Sequence, residues 1–442
     1  MGFKELDDMP LNRFLILMTL LVGLGSFLDG YDLLNVSIAL PFLIKTMNIT
    51  APVQGMLGTA TYLGGVFGAL LFGIFSDLRG RRSALIVDLF FFFIASILSA
   101  FIQTPFQLLA LRFAIGFGIG ADIVSGPALL SEMLPKNKRG KMLGISLLMM
   151  PLGGLVSVLV AYALYVSGVS AFIIWRVIFA LGAVPALLVI LLRSWLTESP
   201  RWLAMFGDPK KHAKEFSVFS IKAQSSAKKS YSEIFSKYKR GLAYSSVAWF
   251  TAGTTSMLTI FTPLILEKFA TKSYVQMIHL TLVVWLFALS GAIVSALLHD
   301  YAGRKRLVVV SVVLLGVFYV LLGISLSKNA YVLELFLSLA MLFSFINVSS
   351  AYTIQTEVFP TELKGLADGL TFSINRLANF VFGSLIPIFL VSGLLKNFMW
   401  FSGLLVIIMA AILAVIGIET KNKSLEKIQE DLVQHNLVNQ QS

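Results

Sequence analysis

The sequence has no cysteine, only four histidines and few charges, with Asp, Glu, Lys and Arg making up 13% of its 442 residues. Without thiols there is no disulfide framework, no thiolate metal site and no cysteine nucleophile. The histidines form no metal-type cluster, and no phosphate-binding loop or nucleophile motif accompanies them, so no metal, no cofactor and no enzyme activity are expected. Scarcity of charge, set beside 57% hydrophobic residues and a mean hydropathy of +0.85, excludes a water-soluble globule and leaves a membrane protein. The net charge of +12 does not point to nucleic acid, because the basic residues cluster in short stretches between apolar runs. The opening stretch MGFKELDDMPLNRF lacks the features of a secretory signal and is expected to stay as a cytoplasmic tail.

Crossing a hydrocarbon core of about 30 Å takes roughly 20 residues. Twelve apolar runs satisfy this, near residues 13–44, 53–76, 83–103, 106–131, 142–167, 171–193, 242–267, 275–299, 307–326, 331–355, 366–394 and 397–417. Lipid offers no partner for open backbone groups, so the spans are helical and the fold class is an all-α membrane protein. Basic residues at Arg79–Arg82, Lys136–Lys141 and Arg304–Arg306 fall on one side, which the positive-inside rule makes cytoplasmic together with both termini. The expected units are a six-helix bundle over 1–193, a Lys- and Ser-rich cytoplasmic linker over 194–240, a second bundle over 241–417 and a tail over 418–442. The halves repeat: GIFSDLRGRR (73–82) matches ALLHDYAGRK (296–305), and SEMLPKNKRGKMLG (131–144) matches TEVFPTELKGLADG (356–369). Two pseudo-symmetric six-helix bundles follow, with substrate bound between them near the midplane.

These motifs resemble those of the major facilitator superfamily. Gly73-x-x-x-Asp77-x-x-Gly80-Arg81-Arg82 is similar to its signature loop between spans two and three, and ESPRW (198–202) and ETKNKSLEKI (419–428) to flanking signatures of the sugar-porter branch. The resemblance covers the whole chain and implies a secondary transporter working by alternating access in the plasma membrane, as a monomer, with a small molecule and protons as its partners. Physically, Asp77 with Arg81 and Arg82 fits a cytoplasmic clamp in which a carboxylate at a helix end meets the N-terminus of a neighbouring helix. Asp300 and Arg304 repeat that set. Glu132 with Arg139, and Glu357 with Lys364, are expected to add interdomain pairs.

Inside the spans stand further charges. Asp29 and Asp32, in SFLDGYDLLNVSIALP, lie three residues apart and hence on one helix face, near the centre of span one. Span four adds Arg112 and, beyond a run of glycines that lets helices approach closely, Asp122, so the first half is read as holding three buried acids and one buried base. A carboxylate at this depth costs several kcal/mol unless it pairs, hydrates or takes up a proton, the three states a proton-coupled carrier exchanges. Asp32 aligns with the span-one aspartate of proton-coupled sugar porters and Arg112 with its span-four arginine partner. LDGYD also resembles phosphate and aromatic-acid proton symporters, and Asp122 takes the place of a span-four aspartate of the phosphate branch. The resemblance implies that protonation of Asp32, or of the Asp29 and Asp32 pair, releases Arg112. A static ion pair is the alternative.

In the second half, Arg376 of span eleven resembles an anion-binding arginine of organic-ion transporters, and a guanidinium fits a carboxylate or phosphate in two-pronged fashion. Its alternative is pairing with a protein acid such as Asp122. Asn347, Asn375, Asn379, Tyr352, Gln355 and Tyr31 complete the expected substrate site. The glutamines with which sugar porters bracket hydroxyls in spans five and seven are absent. The reading is therefore proton-coupled symport of a small organic acid or phosphate-type anion, with a sugar or polyol symporter or facilitator as alternative and a non-transporting nutrient sensor as the alternative of another class.

Overall fold

The computed structural model describes residues 4–208, 230–326 and 329–441, and within the expected linker residues 209–229 lie outside the described residues. Among the described residues twelve helices are long and apolar enough to cross a membrane. Spans one to five are Arg13–Met47, Ala51–Arg79, Arg81–Ser99, Pro105–Met133 and Arg139–Val166. Span six runs in two segments, Ala171–Leu181 and Ala183–Arg193. Spans seven to twelve are Lys239–Phe269, Tyr274–Ala302, Arg304–Ser325, Ala330–Val358, Lys364–Ser392 and Leu395–Ile416. Local chemistry starts them: Asn12 accepts from the Leu15 amide at 2.9 Å ahead of span one, and Thr104 and Gln107 form a reciprocal capping box ahead of span four. No strand occurs among the described residues.

The two halves meet along span two against span eleven, span five against span eight and span one against span seven. Within the first half span four lies close on span two, where a Cβ at Gly116 would sit 1.8 Å from the Thr61 carbonyl oxygen. This is the close approach expected of the span-four glycines.

The turns after spans two and eight are built alike. Gly80 and Gly303 have φ of 95° and 91°, a backbone region that side chains avoid, and each faces an acid from a distant loop. Glu198 accepts from the Arg81 and Arg82 amides at 3.0 and 3.1 Å, and Glu419 from the Arg304 and Lys305 amides at 3.0 and 3.3 Å. A Cβ at Gly80 or Gly303 would lie 2.2 or 2.3 Å from these carboxylate oxygens. The loop motifs and the flanking motifs of the two halves are therefore one interlocking unit in each half.

Beyond the spans, a helix over Pro200–Phe206 and a C-terminal helix over Leu425–Gln441 lie on the basic face. Arg201 bonds Glu426 of that C-terminal helix and reaches Asp7 at 3.1 Å, while Arg139 holds Asp7 at 3.0 Å and donates to the Lys423 carbonyl at 3.3 Å. The C-terminal segment thus straps the two halves together, and Asp7 holds the two arginines that it engages.

Burial pushes Glu198 from its ordinary 4.5 up to about 7, against the backbone donors and the Arg81 guanidinium that favour its charged form. Between those values the folded chain holds a proton that the unfolded chain releases, so this carboxyl destabilises the fold progressively as pH rises toward 7. Thermal melting followed from about pH 5 to about pH 8 should fall less steeply with pH in Glu198→Gln than in the unaltered protein.

Candidate functional site

Most of the buried charges are paired, and two kinds of pairing emerge. Within the first half, Arg112 Nη1 donates to Asp32 Oδ1 at 2.5 Å, both side chains being buried. Arg112 Nε and Nη2 and Asp32 Oδ2 have no hydrogen-bond partner, so a single hydrogen bond carries the pair.

Also within the first half, Arg193 donates to both oxygens of Asp122 at 2.8 Å and to Asp88 at 3.4 Å, and is further held by the Leu85 and Val22 carbonyls. The cluster ties spans one, three, four and six. Gly25 makes room for it: a Cβ there would stand 1.5 Å from Asp122 Oδ2 and 2.0 Å from Arg193 Nη2. Sequence reasoning missed Asp88 and Arg193. Asp88 and Arg193 add to the three buried acids and one buried base expected, beside Asp77, Glu132, Arg81 and Arg139, which are buried at the span ends. Asp88 carried the same signal as Asp29, a lone acid in an apolar run, whereas Arg193 read as an ordinary anchor at a span end.

Across the halves, Asp29 of span one faces Arg376 of span eleven, Oδ2 to Nη2 at 3.9 Å. Arg376 therefore meets Asp29 and not Asp122. Its guanidinium carbon stands 4.5 Å from the centre of the Phe372 ring and 5.2 Å from that of Tyr62, and its Nε has no hydrogen-bond partner. Arg376, Asn375 and Asn379 line a cavity between the halves together with Tyr62, Trp249 and Phe372. The cavity has a volume of about 40 Å³, room for only a few waters.

The other expected substrate residues divide. Asn375 donates to the Trp249 carbonyl at 3.0 Å and Asn379 to Asn375 Oδ1 at 3.1 Å. Gln355 accepts from Trp249 Nε1 and donates to the Ile123 carbonyl of the first half at 3.3 Å, so it braces the cavity wall. Tyr352 reaches Ser146 Oγ at 3.5 Å across the interface, and Asn347 donates to Thr251 at 3.2 Å; neither lines the cavity. Tyr31 is buried, with its ring carbon 3.6 Å from a Cβ built on Gly182 of span six, and so faces the interior of the first half. On a helix of this length each position samples every direction, and only the packed neighbours decide which one is used.

The basic face is closed by pairs of the expected kind with different partners. Asp77 accepts from the Gly365 and Leu366 amides at 2.8 and 3.0 Å, the free N-terminus of span eleven, and Asp300 accepts from the Lys141 amide of span five at 2.9 Å. Arg81 lies 3.4 Å from Asp77 and 3.2 Å from Glu132, and donates across the halves to the Thr361 carbonyl at 2.6 Å. Arg304 repeats this with Asp300 at 3.1 Å and Glu357 at 2.9 Å.

The expected pairs Glu132–Arg139 and Glu357–Lys364 are not formed. Lys364 crosses instead to Glu132 at 3.8 Å and Ser131 at 3.1 Å, Glu357 belongs to Arg304, and Arg139 turns to Asp7. The signature arginine occupies the near side of each glutamate, so the residue next along the loop is displaced. Arg82 donates to the Ser194 carbonyl at 3.1 Å within its own half and does not cross. A further acid on this face, Asp368, is fully buried with neither oxygen hydrogen-bonded.

The opposite face is closed as well. Ser37 donates to the Ile260 carbonyl at 2.5 Å, Thr59 and Ser384 hydroxyls meet at 2.8 Å, the Phe42 and Tyr274 rings are 4.6 Å apart, and Lys45 stands 3.5 Å from Glu267. The conformation is occluded.

A cavity between two bundles of six spans, buried charge pairs around it and clasps on both faces define a multi-pass membrane transporter of the major facilitator type. The chain belongs to the family described as sugar (and other) transporter, whose model matches residues 18–432. It is 29% identical over 398 residues to the inner membrane metabolite transport protein YgcS of Escherichia coli (strain K12), covering 87% of this chain and 86% of that one. It is 27% identical over 441 residues to the arabinose-proton symporter of Bacillus subtilis (strain 168), covering 94% and 95%. Its fold is similar to that of the proton:xylose symporter XylE from E. coli, with a TM-score of 0.79 at 20% identity over 94% of this chain and 98% of that one.

Removing one partner of a buried ion cluster leaves charge uncompensated, at a cost of about 3–5 kcal/mol. Arg193→Met should lower the melting temperature of the detergent-solubilised protein markedly, and adding Asp88→Asn and Asp122→Asn should recover most of the loss. Unchanged melting in the single variant would show that the cluster contributes nothing to the fold.

Proposed function

We propose that the protein is a proton-coupled symporter of a small organic acid or phosphate-type anion, working from a basic, cytoplasmic face in the plasma membrane. One observation carries this reading: the Arg376 guanidinium stands at the cavity wall, and its nearest carboxylate is Asp29 of the other half, 3.9 Å away. An anion arriving at Arg376 while Asp29 is charged would set two negative charges around one guanidinium in a low-dielectric site. Protonation of Asp29 removes one of them and frees the guanidinium for the anion, so proton and anion each favour the other's binding. Asp32 and Arg112, joined by a single hydrogen bond on the next turn of span one, supply a second place where a proton changes the charge balance. Asp77 and Asp300 then act as the clasps that release when the cytoplasmic face opens.

The family description and the arabinose-proton symporter relative favour a second reading, a sugar carried with a proton. Reconstituted vesicles separate the two. With an inward proton gradient, labelled monocarboxylates or phosphate should accumulate and D-xylose should not. Arg376→Ala should abolish that uptake, and Asp29→Asn should leave exchange of anion for anion while removing its response to the gradient. Accumulation of D-xylose that survives Arg376→Ala would establish the sugar reading. Uptake indifferent to the gradient in the unaltered protein would make it a uniporter, and a ligand that raises the melting temperature yet never accumulates would mark a sensor.

A further inference from the structure

Asp368 is a buried acid of the basic face that none of the clasps uses. It lies on span eleven between Gly365 and Gly369, where the two halves touch backbone to backbone. A Cβ at Gly365 would stand 2.2 Å from the Gly73 carbonyl oxygen, and one at Gly369 2.4 Å from that of Ala69. The Asp368 side chain is fully buried and neither carboxyl oxygen has a hydrogen-bond partner. The charged groups around it are Asp77 of span two, Arg81 of span three, Glu132 of span four and Lys364, one turn earlier on its own helix. Other elements also pack on span eleven. Span ten brings Glu357, which belongs to Arg304. Span seven brings the exposed Lys239, Arg240, which donates to the Ile416 carbonyl, and Tyr244, which faces Glu419 and Glu357. Span twelve brings no charge to this end.

The charges around Asp368 are already balanced. Asp77 and Glu132 are two acids, Arg81 and Lys364 two bases, and Lys364 is committed to the first half, 3.1 Å from Ser131 and 3.8 Å from Glu132. A charged Asp368 would be a third acid, buried without a donor beside two others, which is the costly case for a carboxylate. A proton removes that charge. When the halves part, Asp77 and Glu132 leave with the first half and water enters, while Lys364 stays one helical turn from Asp368. Lys364 then exchanges Glu132 for an ionised Asp368. We propose that Asp368 holds a proton while the basic face is closed and releases it to the water on that side when the face opens, so that closure must take the proton back. This proton leaves and returns on the same side and is separate from any that travels with the cargo, so the proposal stands whichever cargo is carried. By linkage, acid on the basic side holds this face shut and alkali favours its opening.

The chain's lack of cysteine allows a direct test. Asn137→Cys, in the loop before span five, and Tyr301→Cys, at the end of span eight, are exposed positions on different halves that take a donor and an acceptor dye. Energy transfer between them in the full-length, detergent-solubilised protein should fall as pH rises from about 5 to about 8.5, because the halves part on this face. The fall should be lost in Asp368→Asn and in Asp368→Leu, which is of similar volume and has nothing to hydrogen-bond. At about pH 8.5 their ratio of open to closed molecules should be at least about tenfold below that of the unaltered protein, the equivalent of one pH unit. Glu198→Gln should keep the fall, because Glu198 binds backbone amides within the first half. A fall that persists in both Asp368 variants, or that Glu198→Gln abolishes, overturns the proposal, as does transfer that is indifferent to pH in the unaltered protein. Failure of both neutral variants to fold overturns it as well, since a carboxyl that burdens the closed form is not one the fold depends on.

Discussion

A charge moved from water into a dry interior costs several kcal/mol even after the protein relaxes around it, and this penalty organises the molecule. Every buried ion must have a partner, and where the partner sits decides what the pair can do. Asp32 with Arg112, and Asp88 and Asp122 with Arg193, are completed inside the first half and travel with it as a rigid body. Asp29 with Arg376, Asp77 with the head of span eleven, and Asp300 with the head of span five are completed only when the halves meet. Such pairs cannot persist when the halves part, so something must compensate each member at that moment: water at the two faces and, in the function proposed above, a proton and an anion at the centre.

The two faces differ in how they are held. On the basic face each half offers a carboxylate to the bare N-terminus of a helix in the other, and the offering loop is fixed by a glycine of positive φ clasped by an acid from far along the chain. On the opposite face the contacts are single hydroxyls, three ring pairs and one exposed ion pair. Exposed ion pairs contribute little. The basic face is the more strongly built of the two closures.

Much of this was legible in the sequence because it is written in short local patterns. The twelve spans follow from apolar length, the two halves from repeated ten- and fourteen-residue motifs, and the burial of Asp29, Asp32 and Arg112 from the depth at which they fall in the spans. Partner choice was not legible, because it depends on which helix faces which. Glu132 and Arg139 are neighbours along the chain yet bind different partners, since the signature arginine Arg81 reaches the glutamate first. Arg193 looked like a membrane-edge anchor until the break in span six and the bare Gly25 brought it beside Asp122. Tyr31 sits between Asp29 and Asp32 in sequence, and its ring packs beside Gly182 of span six. The cavity's apolar character was also hidden, being assembled from single residues of several spans.

Closure on both faces at once has an electrical meaning. With room for only a few waters at the centre and packed side chains above and below, no continuous file of water joins the two compartments in this state. A hydronium ion has no path through, and the acids buried in the first half are insulated from whichever bath they last faced. In this state the molecule therefore behaves as a capacitor and not as a resistor.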